Sequence, residues 1–327
     1  MNTVHWLIPL NSTAYCAISQ SNLASIRLRV FPCTEGLRES GYPFTFGELI
    51  NYSADVIIIG KIGVNDIYSR TSYWLAQLND AKSRGVFIYL DYTDHHLGVD
   101  TPMSVFYQKA VSLADCCIVS SKYMAYLLQT FYAGPIVVIE DSIEIELQPV
   151  KDKVFTNRST ALWFGHSSNI GFLIDFINSS YFLMTGCNLI VLSNESGLNI
   201  FHSSQFKIVN SQQIQLGIWS VDAMVRAAQV SDFCIIPSNL SNSKKLGASS
   251  NRLITSLALG LPTAADCLPS YKEFNQFYVD IRSSNFNILL TNPLIFSDQV
   301  LSAQSSIVNR FLFQKISSDW LKLLSTQ

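Results

Sequence analysis

Residues 233–262 read FCIIPSNLSNSKKLGASSNRLITSLALGLP, and this stretch decides the fold. Phe233–Ile236 is a short unbroken apolar run, the signature of a strand buried on both faces. Beyond a polar loop, Leu253, Ile254, Leu257 and Ala258 recur at the spacing of one helical face. Gly260 stands where a left-handed C-terminal cap is wanted, and Pro262 where a helix cannot continue. Ser249 and Ser250 are the expected N-caps. The first turn of such a helix offers unpaired backbone N–H groups and the positive end of the helix dipole, both of which favour an anion. Lys244 and Lys245 precede that turn and Arg252 lies within it, against the usual preference for acidic residues there. Three cations at one helix start fit a multiply charged guest such as a diphosphate. A solvated basic loop is the competing reading.

The same strand–loop–helix arrangement recurs on both sides. Upstream, strands are expected at 161–165, 188–192 and 206–209, with helices at 171–177 and 221–229. Gly165, His166 and Ser167 again join a strand end to small residues and a helix start, where backbone can approach a ligand closely. Downstream, TAADCLPSYKEF reads as a strand end, a loop and a helix carrying Glu273. The run 308–324, with Phe311, Ile316, Trp320 and Leu324 apolar, is expected to pack back on the N-terminal domain.

In the first half, strands are expected at 5–9, 56–60, 86–90, 117–119 and 136–139, with helices at 67–83 and 125–131. Strands alternating with helices, each strand apolar on both faces, indicate a parallel sheet covered on both sides. In LASIRLRVFP, Arg27 and Arg29 alternate ahead of Pro32, which opens a helix through Glu39. The two arginines either face a cleft or lie on the surface. Directly after the 86–90 strand comes DYTDHHL, with Asp91, Asp94, His95 and His96 close together. Ligands of parallel sheets bind outside the carboxyl ends of the strands, which is where this loop falls. A carboxylate–imidazole pair here could hold or deprotonate a hydroxyl. The alternatives are a metal site and capping of the next helix by Asp94.

At 327 residues two domains are expected, 1–150 and 151–327, with a linker across 140–157. Lys plus Arg (22) nearly cancel Asp plus Glu (24), which argues against a nucleic-acid binder working through a basic face. No apolar run approaches the length of a membrane span. The N-terminal MNTVHWLIPL has no basic segment, so a signal peptide is not expected and a cytoplasmic location is. Seven scattered cysteines with no C-x-x-C pair look like free thiols and not a zinc site.

Taken together, IIPS, the basic loop, SSNRLITSLALGLPTAAD and SYKEF resemble the donor half of a GT-B glycosyltransferase, close to glycosyltransferase family 4 and its relatives. WFGHSSN resembles that family's loop after the first strand of the C-terminal domain, and SIRLRVFP its acceptor-side segment. The resemblance implies an α/β chain of two Rossmann-like doubly wound domains facing across a cleft. It implies transfer of a sugar from a nucleoside-diphosphate sugar, a substrate and not a cofactor, to a glycan or lipid-linked hydroxyl. Lys244, Lys245, Ser249, Ser250, Asn251 and Arg252 would contact the donor diphosphate, bordered by Gly165, His166 and Ser167, with Glu273 near the nucleotide. Asp91, Asp94 and His95 would face the acceptor, with Arg27 and Arg29 on the acceptor side, and no metal would be needed. A lipid-linked acceptor implies peripheral contact with the inner membrane face. One departure stands out: the family's Glu-x7-Glu pair falls on Gly247 and Thr255. A nucleotide-sugar epimerase of the same fold and a two-lobed sugar-binding protein are the rival readings.

Overall fold

A computed structural model describes residues 2–10, 14–63, 67–152, 158–179, 187–206 and 213–326. Its contacts divide the chain into two units. The first comprises Met1–Ser142, Asn242–Ser249 and Arg310–Gln327; the second comprises Ile143–Ser241 and Ser250–Asn309. Each is built on one six-stranded sheet, and every strand pair in both is parallel.

The strands of the first sheet are β1 (Val4–Leu7), β2 (Phe44–Gly47), β3 (Val56–Ile59), β4 (Phe87–Tyr92), β5 (Cys116–Val119) and β6 (Ile136–Val138). They lie in the order β2-β1-β3-β4-β5-β6, so the winding reverses between β1 and β3. All four residues of β1, β3 and β5 are buried, as strands covered on both faces require. One face is covered by α1 (Phe31–Glu39) and α11 (Phe313–Ser325). The other is covered by α2 (Ile67–Ser83), α3 (Ser104–Leu113) and α4 (Lys122–Leu128), where Trp74, Leu78 and Ala81 are fully buried on the expected stripe. The C-terminal helix packs on this unit as expected. Trp320 meets Trp6 edge to face at 5.2 Å. A Cβ added at Gly36 of α1 would overlap Ser317 Oγ of α11, so the two helices approach as closely as glycine permits.

The second sheet contains β7 (Thr160–Phe164), β8 (Asn188–Ser193), β9 (Ile214–Ile218), β10 (Phe233–Ile236), β11 (Thr263–Ala265) and β12 (Val279–Asp280). Its order, β12-β11-β10-β7-β8-β9, is that of a dinucleotide-binding sheet, with the reversal between β7 and β10. The associated helices are α5 (Ile170–Asn178), α6 (Glu195–Ser203), α7 (Val221–Val230), α8 (Asn251–Ala258), α9 (Asn285–Thr291) and α10 (Ser297–Ser306). Helix α8 buries Leu253, Ile254, Leu257 and Ala258. It ends in the expected cap: Gly260 has φ +76°, its N–H donates to Leu257 O, and Leu261 N–H donates to Ser256 O.

Several elements differ from the sequence reading. Strands β2, β9 and β12 and helices α3, α6, α9 and α10 were not expected, and the strand expected at 206–209 falls largely outside the described residues. All three unexpected strands sit at sheet edges, where only one neighbour constrains the pattern. The segment bearing Arg27 and Arg29 is a π-helical turn, Ile26–Val30, in which residues two apart do not share a face. Glu140 and Asp141 stay with the first unit, receiving hydrogen bonds from Arg310 and Arg29. All seven cysteines are free, and five are buried.

Truncating Trp320 to Ala removes a fully buried indole from the α1–α11 layer. The expected result is a loss of roughly 3–5 kcal/mol, read as a lower urea midpoint. An unchanged midpoint would mean that α11 is not integral to the first unit.

Candidate functional site

In the second unit, the reversal between β7 and β10 opens the sheet at the carboxyl ends of those strands. Gly165 follows β7 directly, its N–H donating to Leu192 O at 3.0 Å and its carbonyl accepting from Ser193 Oγ at 2.8 Å. The next turn is fixed by Ser167 N–H donating to Asn194 Oδ1 at 2.8 Å, while the exposed His166 accepts at Nδ1 from Ser168 N–H. Helix α8 begins beside this turn. The Arg252 guanidinium carbon lies 5.3 Å from the Trp163 ring centroid and 3.6 Å from the place a Gly165 Cβ would take.

Arg252 is the unusual group here. Its Nε and Nη2 are buried with no hydrogen-bond partner among the described residues. Burial lowers its pKa, and only the Tyr271 phenol and the Cys234 thiol work against that shift, with no carboxylate contributing. A desolvated guanidinium that receives only a π face is costly unless something anionic completes it. The buried carboxylate of Asp266, just after β11, is engaged elsewhere: it accepts from Ser238 N–H at 2.7 Å and from Arg282 Nε.

Ser250 holds the N-cap position, but its ψ of 1° is not the extended conformation from which a hydroxyl reaches back, and it makes no capping bond. Asn251 and Arg252 form the first turn. Lys244, Lys245 and Ser249 lie in the Asn242–Ser249 segment, which groups with the first unit. The lysines sit on a one-turn helix, Ser243–Leu246, and the Lys244 side chain lies outside what is described. The following Gly247 packs so tightly on Met124 that an added Cβ would lie 2.6 Å from its Cε. The three cations therefore do not form one cluster within a single unit. Glu273 is exposed on a 3-10 turn, Pro269–Phe274, where a helix was expected.

In the first unit, a narrow crevice at the β1–β3 reversal is lined by Trp6, Ile8, Gly60, Lys61 and Asp91 among others. Asp91 comes near the end of β4 and is only 2% exposed. It accepts from Arg29 Nε at 2.8 Å and from Arg29 Nη2 at 2.6 Å, while Arg29 Nη1 donates to Ile139 O and Asp141. Burial works against the Arg29 charge, but Asp91 and Asp141 outweigh it and hold the guanidinium protonated. Arg29 thus neither lines a cleft nor reaches the surface: it is an internal tie. Arg27 is half-buried, with Nη1 on Ser21 O at 2.6 Å. Asp94 forms an ion pair with Lys61 and caps no helix. Burial pushes its carboxyl up, but Lys61, and more weakly Lys245, hold it below its ordinary value.

The loop after β4 folds around Tyr92, whose Oη accepts from His96 N–H at 2.7 Å and Leu97 N–H at 2.9 Å. His96 turns inward, stacked on Tyr107 at 4.9 Å with Nδ1 3.0 Å from Thr101 Oγ1. His95 is 8% exposed, and burial lowers its pKa. Among the described residues no three His, Cys, Asp or Glu side chains are grouped to hold a metal ion. Trp163, Tyr271, Lys61 and Tyr92, all absent from the sequence expectation, shape these two regions. Each reads in sequence as an ordinary strand or loop residue, so no local signal marks it.

No protein-family model matches the sequence, and no curated protein matches it. Solved structures do. The chain aligns with sucrose-phosphate synthase from Thermosynechococcus elongatus over 100% of its own length and 99% of the other (TM-score 0.64, 11% identity). It aligns with an alpha-glucosyltransferase in complex with UDP-glucose and DNA containing an abasic site over 99% of each chain (TM-score 0.60, 10% identity). With TarM it aligns over 84% of its length but only 55% of TarM's (TM-score 0.56, 12% identity). At these identities the likeness is one of fold, and the fold is the two-unit GT-B architecture of these neighbours.

The Arg29–Asp91 tie predicts a stability effect. Asp91→Ala leaves a buried guanidinium with half its acceptors, and the expected cost is about 3–5 kcal/mol by urea denaturation. Lost activity with an unchanged midpoint would return Asp91 to a catalytic role.

Proposed function

We propose that this protein is a glycosyltransferase that moves a sugar from a nucleoside-diphosphate sugar to a hydroxyl, with the donor diphosphate seated at the start of α8. The observation that carries this reading is the buried, acceptor-less Arg252 guanidinium at the β7–β10 reversal. A phosphoryl oxygen supplies what Arg252 lacks, and a helix start such as that of α8 favours an anion through its unpaired backbone N–H groups. Sucrose-phosphate synthase and an alpha-glucosyltransferase with UDP-glucose among the fold neighbours favour the same substrate class.

On this reading the fixed cation does the electrostatic work. As the anomeric bond breaks, negative charge builds on the leaving diphosphate, and a guanidinium already desolvated against Trp163 needs no reorganisation to meet it. Gly165 lets the backbone pass close to this pair, since a Cβ there would press on the Trp163 ring at 3.0 Å and come into ordinary contact with the Arg252 guanidinium carbon at 3.6 Å. The acceptor we propose is a glycan or lipid-linked hydroxyl, approached by the Asp94–His95 loop. No helix among the described residues is long and apolar enough to cross a membrane, so contact with a lipid-linked acceptor would be peripheral.

A thermal-shift series with nucleoside diphosphates and monophosphates tests the assignment. At least one diphosphate should raise the melting temperature, since ligand at about 100 times its Kd adds about 2.7 kcal/mol. Arg252→Met should abolish that rise, lower kcat/KM about a hundredfold, and leave the ligand-free melting temperature unchanged or higher, because an unpaired buried charge is removed. No shift with any diphosphate, or a strongly destabilised Arg252→Met, would overturn it.

A further inference from the structure

We infer that Tyr92 locks His95 in its Nε2–H tautomer, so that His95 presents a hydrogen-bond donor to a substrate oxygen at the carboxyl end of β4 and does not act as a proton acceptor. This rests on the transferase reading only for the identity of the substrate.

The protons around one phenol decide the tautomer. A hydroxyl has two acceptor lone pairs and one proton to donate. Tyr92 is fully buried, and its Oη already accepts two backbone protons, from His96 N–H at 2.7 Å and Leu97 N–H at 2.9 Å. Both lone pairs are then engaged, and the phenolic proton has to go outward. The remaining neighbour within hydrogen-bond distance is His95 Nδ1, at 3.3 Å. Nδ1 is therefore the acceptor. If Nδ1 carried a proton instead, Tyr92 would have to accept a third hydrogen bond while leaving its own buried proton unmet, a penalty of about 1–3 kcal/mol.

With Nδ1 accepting, the proton of a neutral imidazole sits on Nε2. Burial lowers the His95 pKa, so the ring stays neutral near pH 7. Nε2 has no hydrogen-bond partner among the described residues and is not sealed from solvent. Its ring is held edge-on to Tyr92 at 6.4 Å and tilted against Phe131 at 6.2 Å, which fixes the direction of that N–H. Asp94 does not reset the tautomer, because it is paired with Lys61. Tyr92 is thus a positioning residue, and His95 grips an oxygen, such as a sugar hydroxyl, through Nε2–H.

Nitrogen NMR of the full chain labelled at histidine reads the tautomer directly, with the His95 signals assigned by their loss in His95→Gln. The expected spectrum has an unprotonated Nδ1 and a protonated Nε2, drifting toward tautomer averaging in Tyr92→Phe; a protonated Nδ1 in the wild type overturns the inference. If Tyr92→Phe fails to fold, the wild-type spectrum decides alone. In a transfer assay, His95→Gln keeps an amide N–H near the Nε2 position but cannot take up a proton. It should retain activity within about tenfold of wild type, whereas His95→Ala falls about a hundredfold or more. Equal loss in both variants would identify a base and refute the lock. Absence of transfer from every nucleoside-diphosphate sugar would sink the transferase reading, and the nitrogen spectra would still decide the tautomer.

Discussion

Every strand in both sheets runs parallel to its neighbours, so the chain has to cross over a sheet face each time it returns, and the carboxyl ends collect along one edge of each sheet. Where the winding reverses, the crossovers leave to opposite sides and the loops part. In the second unit that point lies between β7 and β10, and in the first between β1 and β3. The side chains with unusual electrostatics fall at those places. Arg252, Gly165 and Trp163 gather at one, and Asp91, Lys61 and Gly60 line the other. Strand topology, more than any single motif, decides where chemistry is available.

Two arginines show how differently this scaffold treats the same group. Arg29 is surrounded by acceptors: two carboxylates and a carbonyl take its protons, and it joins the turn before α1 to β4 and to the strand end near Ile139. Such a guanidinium is consumed by the fold. Arg252 receives an indole face and no carboxylate, so its hydrogen-bonding capacity is left over after folding. A protein tolerates that penalty where a ligand removes it, and the anion-binding start of α8 is the place for such a ligand.

A similar contrast runs through the end of β4 and the loop after it. Four titratable side chains crowd into six positions, yet Asp91 is spent on Arg29, His96 on stacking with Tyr107, and Asp94 on Lys61. His95 keeps one ring nitrogen without a partner among the described residues, and Tyr92 constrains which one and with which proton. The density of chemically capable residues in a stretch of sequence is therefore a poor guide to how many act on substrate.

The sequence by itself determined the alternation of strand and helix, the doubly wound class, the cap at Gly260 and the return of the C-terminal helix. Each of these follows from local periodicity or from a backbone conformation that one residue type permits. It also placed Gly165 at a strand end and Arg252 in the first turn of a helix. Only the tertiary structure decided which charges were already paired. Arg29 meets Asp91 across 62 positions and Asp141 across 112, separations at which no local pattern carries information. The same holds for the basic loop: the lysines and Arg252 are neighbours in sequence, but the chain changes units between Ser249 and Ser250. Edge strands β2, β9 and β12 escaped notice because one-sided pairing leaves a weak pattern, whereas the buried inner strands could hardly be read otherwise.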